Sequence, residues 1–167
     1  MNIAEWEDRI DDLWRRAGEL TPERLLSEIA ALTAECPHAD GTADFERAGA
    51  HDHLDDPDTA IPLYRAALRD GLTGDRHRFA VIQLASSLRN VGSAAEGVDL
   101  LTAELDRRSD EYDDAVRAFL SLALIDLGRG REAVATALTA LRPHLPAYGR
   151  ALGEYIALLD GEPETAD

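Results

Sequence analysis

The feature that most limits the fold of this chain is an internal repeat of a helical pattern. Apolar residues at positions 81, 84, 85 and 88 follow the i, i+3, i+4, i+7 spacing of one helix face. Three segments then match one another, and they are Leu54–Ile61, Val91–Val98 and Leu127–Val134. Their small residues Ala60, Gly97 and Ala133 lie 37 and 36 residues apart. A period of roughly 20 to 50 residues predicts an array of stacked structural units.

Turn signals divide the chain into nine predicted helices. Thr21-Pro22 and Asp56-Pro57 each place a capping side chain before a proline at the first helical position. Glycines at 18, 71, 92, 128 and 161 favour helix ends. No run alternates apolar and polar residues as a strand would, so we predict no strand. The predicted helices are 3–18, 21–35, 41–54, 57–70, 75–91, 93–107, 110–128, 130–142 and 146–160. Pro62 falls inside the fourth helix and predicts a distorted first turn.

The repeats resemble tetratricopeptide repeats, in which small residues stand where two helices of a hairpin touch. The second repeat carries Val81, Leu84, Ala85 and Leu88 opposite Gly97 and Leu101, and the third carries Leu120 and Leu124 before Ala133, Ala137 and Ala140. The first is weaker, with His51 where the family prefers an aromatic ring. This resemblance covers residues 41–142. It implies an all-α, right-handed α-solenoid of antiparallel helix pairs, formed as a single domain over residues 1–167.

The same resemblance suggests roles for the first and last helices. We expect residues 3–35 to form an N-terminal helix pair, either a degenerate repeat or a cap, and residues 146–160 to form a capping helix. The chain also resembles small bacterial tetratricopeptide proteins of undefined role. The first helix carries an apolar stripe that includes Trp6 and Trp14. This stripe predicts that the helix either packs against the next helix pair or forms a homodimer interface.

For function, the resemblance implies a non-catalytic module that binds a protein or peptide along the concave inner helices. The groove residues it implies are Phe45, His53, Phe79, Ile82, Ser86, Arg89, Asn90 and Leu122. Two alternatives stay open. The first concerns two of these residues: Phe79 and Ile82 pack against a neighbouring repeat and do not face a groove. The second concerns the whole protein: it is a self-assembling structural protein, either a homo-oligomer or one whose groove is filled by its own C-terminal helix.

Charge narrows the kind of partner. The chain has 33 acidic and 17 basic residues, all of the basic ones arginine, for a formal net charge of −16. This balance argues against nucleic acid and anionic membrane surfaces, and it favours a partner with a basic or mixed surface. The lack of lysine disfavours the family's clamp for a C-terminal carboxylate. A single cysteine, no long apolar stretch and no signal-peptide pattern at the first residues predict a cytoplasmic protein.

Other candidate sites fit chemistry poorly, so we predict no enzyme, no cofactor and no metal. The dense polar segment His51–Asp58 lacks the i, i+4 spacing that metal-binding pairs on a helix need. Cys36 stands beside Pro37 and His38 in a sequence typical of a turn, and no nucleotide or hydrolase motif occurs. The basic segment Asp75–Arg78 predicts either an anion site or salt bridges to neighbouring carboxylates.

Overall fold

A computed structural model of the chain describes residues 2–161, and within that range it contains nine α-helices, two short 3₁₀ turns and no strand. The all-α class and the succession of helices are therefore as predicted. The acidic tail Glu162–Asp167 lies outside the described residues. The helices are α1 Ile3–Arg16, α2 Pro22–Ala34, α3 Thr42–His53, α4 Pro57–Arg69, α5 Gly74–Asn90, α6 Ala94–Arg107, α7 Asp113–Asp126, α8 Gly130–Leu141 and α9 Gly149–Gly161.

The described residues divide within α5 into two compact units, the first ending at Ser87 and the second beginning at Leu88. In the first unit α1 packs against α2, α2 against α3, and α3 against α4. In the second unit α6 packs against α7, α7 against α8, and α8 against α9. Sequential neighbours are thus packed neighbours, as short connections dictate. The single domain over residues 1–167 stays a prediction.

The repeat is visible in the backbone of three turns. Two residues after the last residue of each of the helices α3, α5 and α7 stands a residue with positive φ, which lets the chain reverse into the next helix. The backbone amide of the following residue then donates to the carbonyl oxygen five residues earlier, at 2.8–2.9 Å. These turn residues are Asp55 (φ 57°), Gly92 (φ 81°) and Gly128 (φ 74°), spaced by 37 and 36 residues. Aspartate tolerates this left-handed conformation, so the first repeat keeps the turn without glycine.

Side-chain caps mark the starts of α1, α2 and α4, and a side-chain turn explains one helix start that the sequence misplaced. Thr21 and Asp56 cap α2 and α4 as predicted, each accepting a hydrogen bond from a backbone amide three residues later. Helix α7 starts at Asp113 instead of residue 110, because the Asp110 side chain accepts a hydrogen bond from the Tyr112 amide at 2.9 Å and holds a turn there. Helix α4 continues through the exposed Pro62.

The first unit has a core that settles the role of the apolar stripe on α1. Trp6, Ile10 and Leu13 are at most 1% exposed and pack against apolar side chains of α2. The indole nitrogen of Trp6 donates to the carbonyl oxygen of Leu32 at 2.8 Å, which satisfies the one polar atom of that ring. Docking on the next helix therefore covers this stripe, and Trp14 alone lies partly outside it.

Glycine at position 41 is required by a close approach between α3 and α4. A Cβ atom at Gly41 would lie 2.1 Å from the carbonyl oxygen and 2.5 Å from the Cα of Ala67. Both are backbone atoms of α4, so a side chain here would force the two helices apart. Gly18 is a matched contrast, because a Cβ at that position meets no atom within 4 Å and its φ lies outside the left-handed region.

We predict that Gly41→Ala lowers the free energy of unfolding by roughly 3 kcal/mol, because a clash with backbone cannot be relieved by a side-chain rotation. Urea denaturation followed by circular dichroism measures it. Gly18→Ala is the control, and its stability should be unchanged or raised by up to about 1 kcal/mol. Equal stability of the two variants would contradict the tight α3–α4 contact.

Candidate functional site

The first unit contains an open cleft of about 690 Å³ between helices α1, α3 and α5. Three of the residues predicted for the groove, Phe45, His53 and Phe79, line it. They are brought together because α3 and α5 each direct one face towards the cleft while their other faces pack in the core. The cleft is thus the place where the predicted groove residues of the first unit meet.

Trp14 of α1 forms a further wall of the cleft. Its ring lies in an edge-on arrangement with His53, the ring centroids being 6.3 Å apart. It also covers Gly49 of α3, where a Cβ atom would come within 3.2 Å of the indole ring. The small residue on α3 therefore makes room for a large aromatic on α1, and both line the cleft.

A polar network anchored on Arg76 holds the three helices around the cleft. Arg76 Nη1 and Nη2 donate to the two carboxylate oxygens of Glu7 on α1, at 2.9 and 2.5 Å. Its Nε donates to Glu46 Oε1 on α3 at 3.2 Å. Glu46 is 3% exposed, and its other oxygen accepts from the indole nitrogen of Trp14 at 2.7 Å. Of the two alternatives for the basic segment Asp75–Arg78, Arg76 therefore follows the salt-bridge one.

The pKa values of the two carboxylates that contact Arg76 are shifted in opposite directions. The hydrogen bonds from Arg76 hold the pKa of Glu7 below its usual range. Burial raises the pKa of Glu46, and the nearby charge of Glu7 raises it further, against the hydrogen bond from Trp14 and the attraction of Arg76. Hydrogen bonding to Glu7 also raises the pKa of Arg76, so the guanidinium stays charged. In this network burial disfavours the charged form of Glu46, whereas the hydrogen bonds from Arg76 favour the charged form of Glu7.

The far end of the cleft is built on Asp52. Its Oδ1 accepts from the hydroxyl of Ser87 at 2.7 Å, and its Oδ2 lies 3.4 Å from the hydroxyl of the buried Tyr64. That hydroxyl also lies 2.8 Å from Gln83 Oε1. Burial raises the pKa of Tyr64, so the phenol stays protonated and acts as a neutral hydrogen-bonding group. Asp52 and Gln83 both line the cleft, with positions fixed by these contacts.

The other predicted groove residues do not lie in this cleft. Ile82 is 7% exposed and so offers no side chain to a ligand, which follows the alternative that it packs inside the structure. Ser86 is half-buried and outside the cleft lining. In the second unit Arg89 Nε lies 2.5 Å from Asp126 Oδ2 in an ion pair. Asn90 is exposed, and Leu122 is an exposed apolar residue of α7.

The polar segment His51–Asp58 and Cys36 have structural roles. His51 Nδ1 lies 3.0 Å from Asp56 Oδ2, and Asp56 caps α4. Within residues 2–161 no group of three or more His, Cys, Asp or Glu side chains is arranged to hold a metal ion. Burial raises the pKa of the Cys36 thiol, which is the opposite of what a nucleophilic cysteine needs.

Several cleft residues were missed by sequence reasoning. Trp14 and Asp11 come from α1, which shows no clear repeat and so has no predicted inner face. Glu46 and Gln83 are lining residues whose positions depend on contacts with other helices. One signal was available: Trp14 is the member of the α1 stripe one residue beyond the buried Leu13, so it points to the edge of the core.

We predict that Glu46→Gln makes stability less dependent on pH. The folded protein holds a proton on Glu46 more readily than the unfolded chain does, so wild type gains stability relative to the variant as the pH falls from 8 to the ordinary glutamate pKa of about 4.3. The gain is bounded by about 1.4 kcal/mol per pH unit. Urea unfolding at each pH measures it. A stability difference that stays constant over this range would contradict the raised pKa.

Glu7→Gln is the matched control on the same arginine. Because its pKa is lowered, the stabilisation by Glu7 is complete above the ordinary pKa of about 4.3 and is lost only as the pH falls through the folded value. Glu7 Oε1 also lies 2.7 Å from His38 Nε2, so the comparison is made in a His38→Gln background. In that background the stability difference caused by Glu7→Gln should be constant from pH 8 to 5. A pH-dependent difference for this variant would show that the two carboxylates share one titration.

Comparison with known proteins supports the repeat reading. No helix of residues 2–161 is long and apolar enough to cross a membrane. No curated protein and no solved structure matches the chain. A family model described as Tetratrico peptide repeat matches residues 41–159, which is more than half of the sequence. Together with the nine helices and the three recurring turns, this match shows that the chain belongs to the tetratricopeptide repeat family.

Proposed function

We propose that this protein is a non-catalytic interaction module that binds a segment of a partner protein in the cleft of its first unit. Tetratricopeptide repeats generally mediate protein–protein interactions, which supports the class. The observation that carries the proposal is the cleft itself, where three helices present Trp14, Phe45 and Phe79 to one space of about 690 Å³. Aromatic anchors in a pocket dominate the energy of many protein interfaces.

The framework of the cleft favours binding without large rearrangement. Arg76 ties α1, α3 and α5 together through Glu7 and Glu46, and Tyr64 ties α4 to Asp52 and Gln83. A cleft held by such contacts is largely preformed, so little conformational entropy is lost when a partner enters. The half-buried Cys36 fits a reducing compartment, and we extend the proposal to the bacterial cytoplasm.

A second candidate function is self-assembly through the last helix. In the second unit α9 packs against α8 and buries Ile156, while Tyr155 and Leu158 on its other side are 65% and 64% exposed. Tyr148, which precedes α9, is 84% exposed. Tyr155 and Leu158 are three residues apart and so lie on one face of α9, and such an apolar face supports association with another copy.

A photo-crosslinking amino acid placed at His53 tests the first candidate. His53 is exposed and lines the cleft, whereas Arg69 is exposed and outside the lining, so Arg69 is the matched control position. After irradiation in lysate of the native host, we expect a distinct protein crosslinked from position 53 and absent from position 69. Mass spectrometry identifies it. Crosslinks from position 53 only to copies of this chain would overturn the proposal in favour of self-assembly.

Light scattering on the purified protein tests the second candidate. If α9 is the assembly surface, wild type has the mass of a dimer and Tyr155→Glu has that of a monomer, since a charge cannot be buried in an apolar contact. Ala157→Glu adds the same charge to another exposed face of α9 and should keep the dimer. One monomeric mass for all three proteins would rule this candidate out.

A further inference from the structure

We propose that the partner segment enters the cleft of the first unit through a cationic side chain, arginine or lysine, held between aromatic rings and carboxylates. This inference rests on the proposed function, because it assigns the chemistry of the group that the cleft receives. It commits to a basic peptide segment of another protein as the occupant.

The charge of the cleft is the first argument. Four carboxylates line it, and they are Asp11, Glu46, Asp52 and Asp75. Asp52 accepts a hydrogen bond from the hydroxyl of Ser87 and lies 3.4 Å from the hydroxyl of Tyr64, and both groups are neutral and leave its negative charge in place. A cleft lined by one sign of charge and bounded by protein attracts the opposite charge more strongly than open surface does. The cleft is therefore complementary to a cation.

The positive charge of Arg76 does not offset this. Each nitrogen of its guanidinium donates a hydrogen bond: Nη1 and Nη2 to Glu7, and Nε to Glu46. The ion pair with Glu7 alone balances the guanidinium charge, so Arg76 leaves no positive charge to offset Asp11 and Asp52. An anionic ligand would have to displace a bidentate ion pair that holds α5 to α1, so Arg76 acts as part of the framework. This separates the cleft from a carboxylate-binding site.

The aromatic walls are the second argument. Trp14, Phe45 and Phe79 line the same space as the acids, and the Phe45 ring lies 6.2 Å from that of Tyr64, which fixes its position. Aromatic faces attract cations and also cover the apolar stem of a lysine or arginine side chain. The fold already contains this pairing, since Arg76 Cζ lies 5.9 Å from the ring centroid of Trp6.

A titration with synthetic peptides tests the proposal directly. Four acetylated and amidated peptides of sequence Gly-Ser-Ala-Xaa-Ala-Ser-Gly carry arginine, lysine, glutamine or glutamate at the central position. Binding is followed by ¹H–¹⁵N NMR at low salt. The indole N–H of Trp14 reports on the cleft, and the indole N–H of Trp6, buried and bonded to Leu32, is an internal control. We expect the arginine and lysine peptides to shift the Trp14 signal and to bind roughly tenfold more tightly than the glutamine peptide.

Variants locate the selectivity. The double variant Asp11→Asn, Asp52→Asn removes two cleft charges and keeps similar shapes, so the arginine peptide should bind it roughly tenfold more weakly. Asp58→Asn is the control, because Asp58 is exposed in the first turn of α4 and outside the lining. Circular dichroism checks that each variant is folded. An undiminished affinity in the double variant would overturn the proposal.

The outcomes separate this inference from the proposed function. If the glutamine or glutamate peptide binds at Trp14 as tightly as the arginine peptide, the cleft binds peptides but the cationic selectivity is wrong. If position 53 crosslinks a partner while no basic peptide shifts the Trp14 signal, the interaction module stands and this inference fails. If no peptide shifts the signal and position 53 yields no crosslinked partner, both fail.

Discussion

The ion pair between Arg76 and Glu7, shared with the buried Glu46, is the contact on which the cleft depends. It joins helices α1, α3 and α5, which are far apart in sequence, at the one place where their inner faces meet. Glu46 is nearly inaccessible, and a buried carboxylate is stable only when paired and hydrogen-bonded. Loss of Arg76 would leave the buried Glu46 without a cation and with only its hydrogen bond from Trp14, so the shape of the cleft and the stability of the unit are linked.

This arrangement also decides what the cleft can recognise. Because Arg76 is paired within the framework, the lining keeps the carboxylates Asp11 and Asp52 beside the aromatic rings of Trp14, Phe45 and Phe79. A net charge of −16 favours the approach of basic partners at long range, and in the proposal above the cleft supplies the short-range contacts. The same electrostatic bias therefore acts in encounter and in binding, while the apolar face of α9 remains a separate surface in the second unit.

The sequence pointed to some of the residues that line the cleft and not to others, and the physical reason differs from residue to residue. Phe45, His53 and Phe79 line the cleft, and each holds an inner-face position of a recognisable repeat. Ile82 is buried, since α5 buries side chains on more than one face and periodicity does not tell a groove from a core. Trp14 and Glu46 were missed because their place depends on a contact between α1 and α3, which no local pattern encodes.

The sequence by itself determined the helices, their caps and the repeated turn. These depend on interactions within a few residues, such as Asp56 with the Thr59 amide, and on backbone freedom at Gly92 and Gly128. Only the tertiary structure decided which side chains share a space and which charges cancel. The sequence alone places Arg76 in a basic surface segment. In the fold it joins two helices, because Glu7, 69 positions away, is brought within hydrogen-bonding distance.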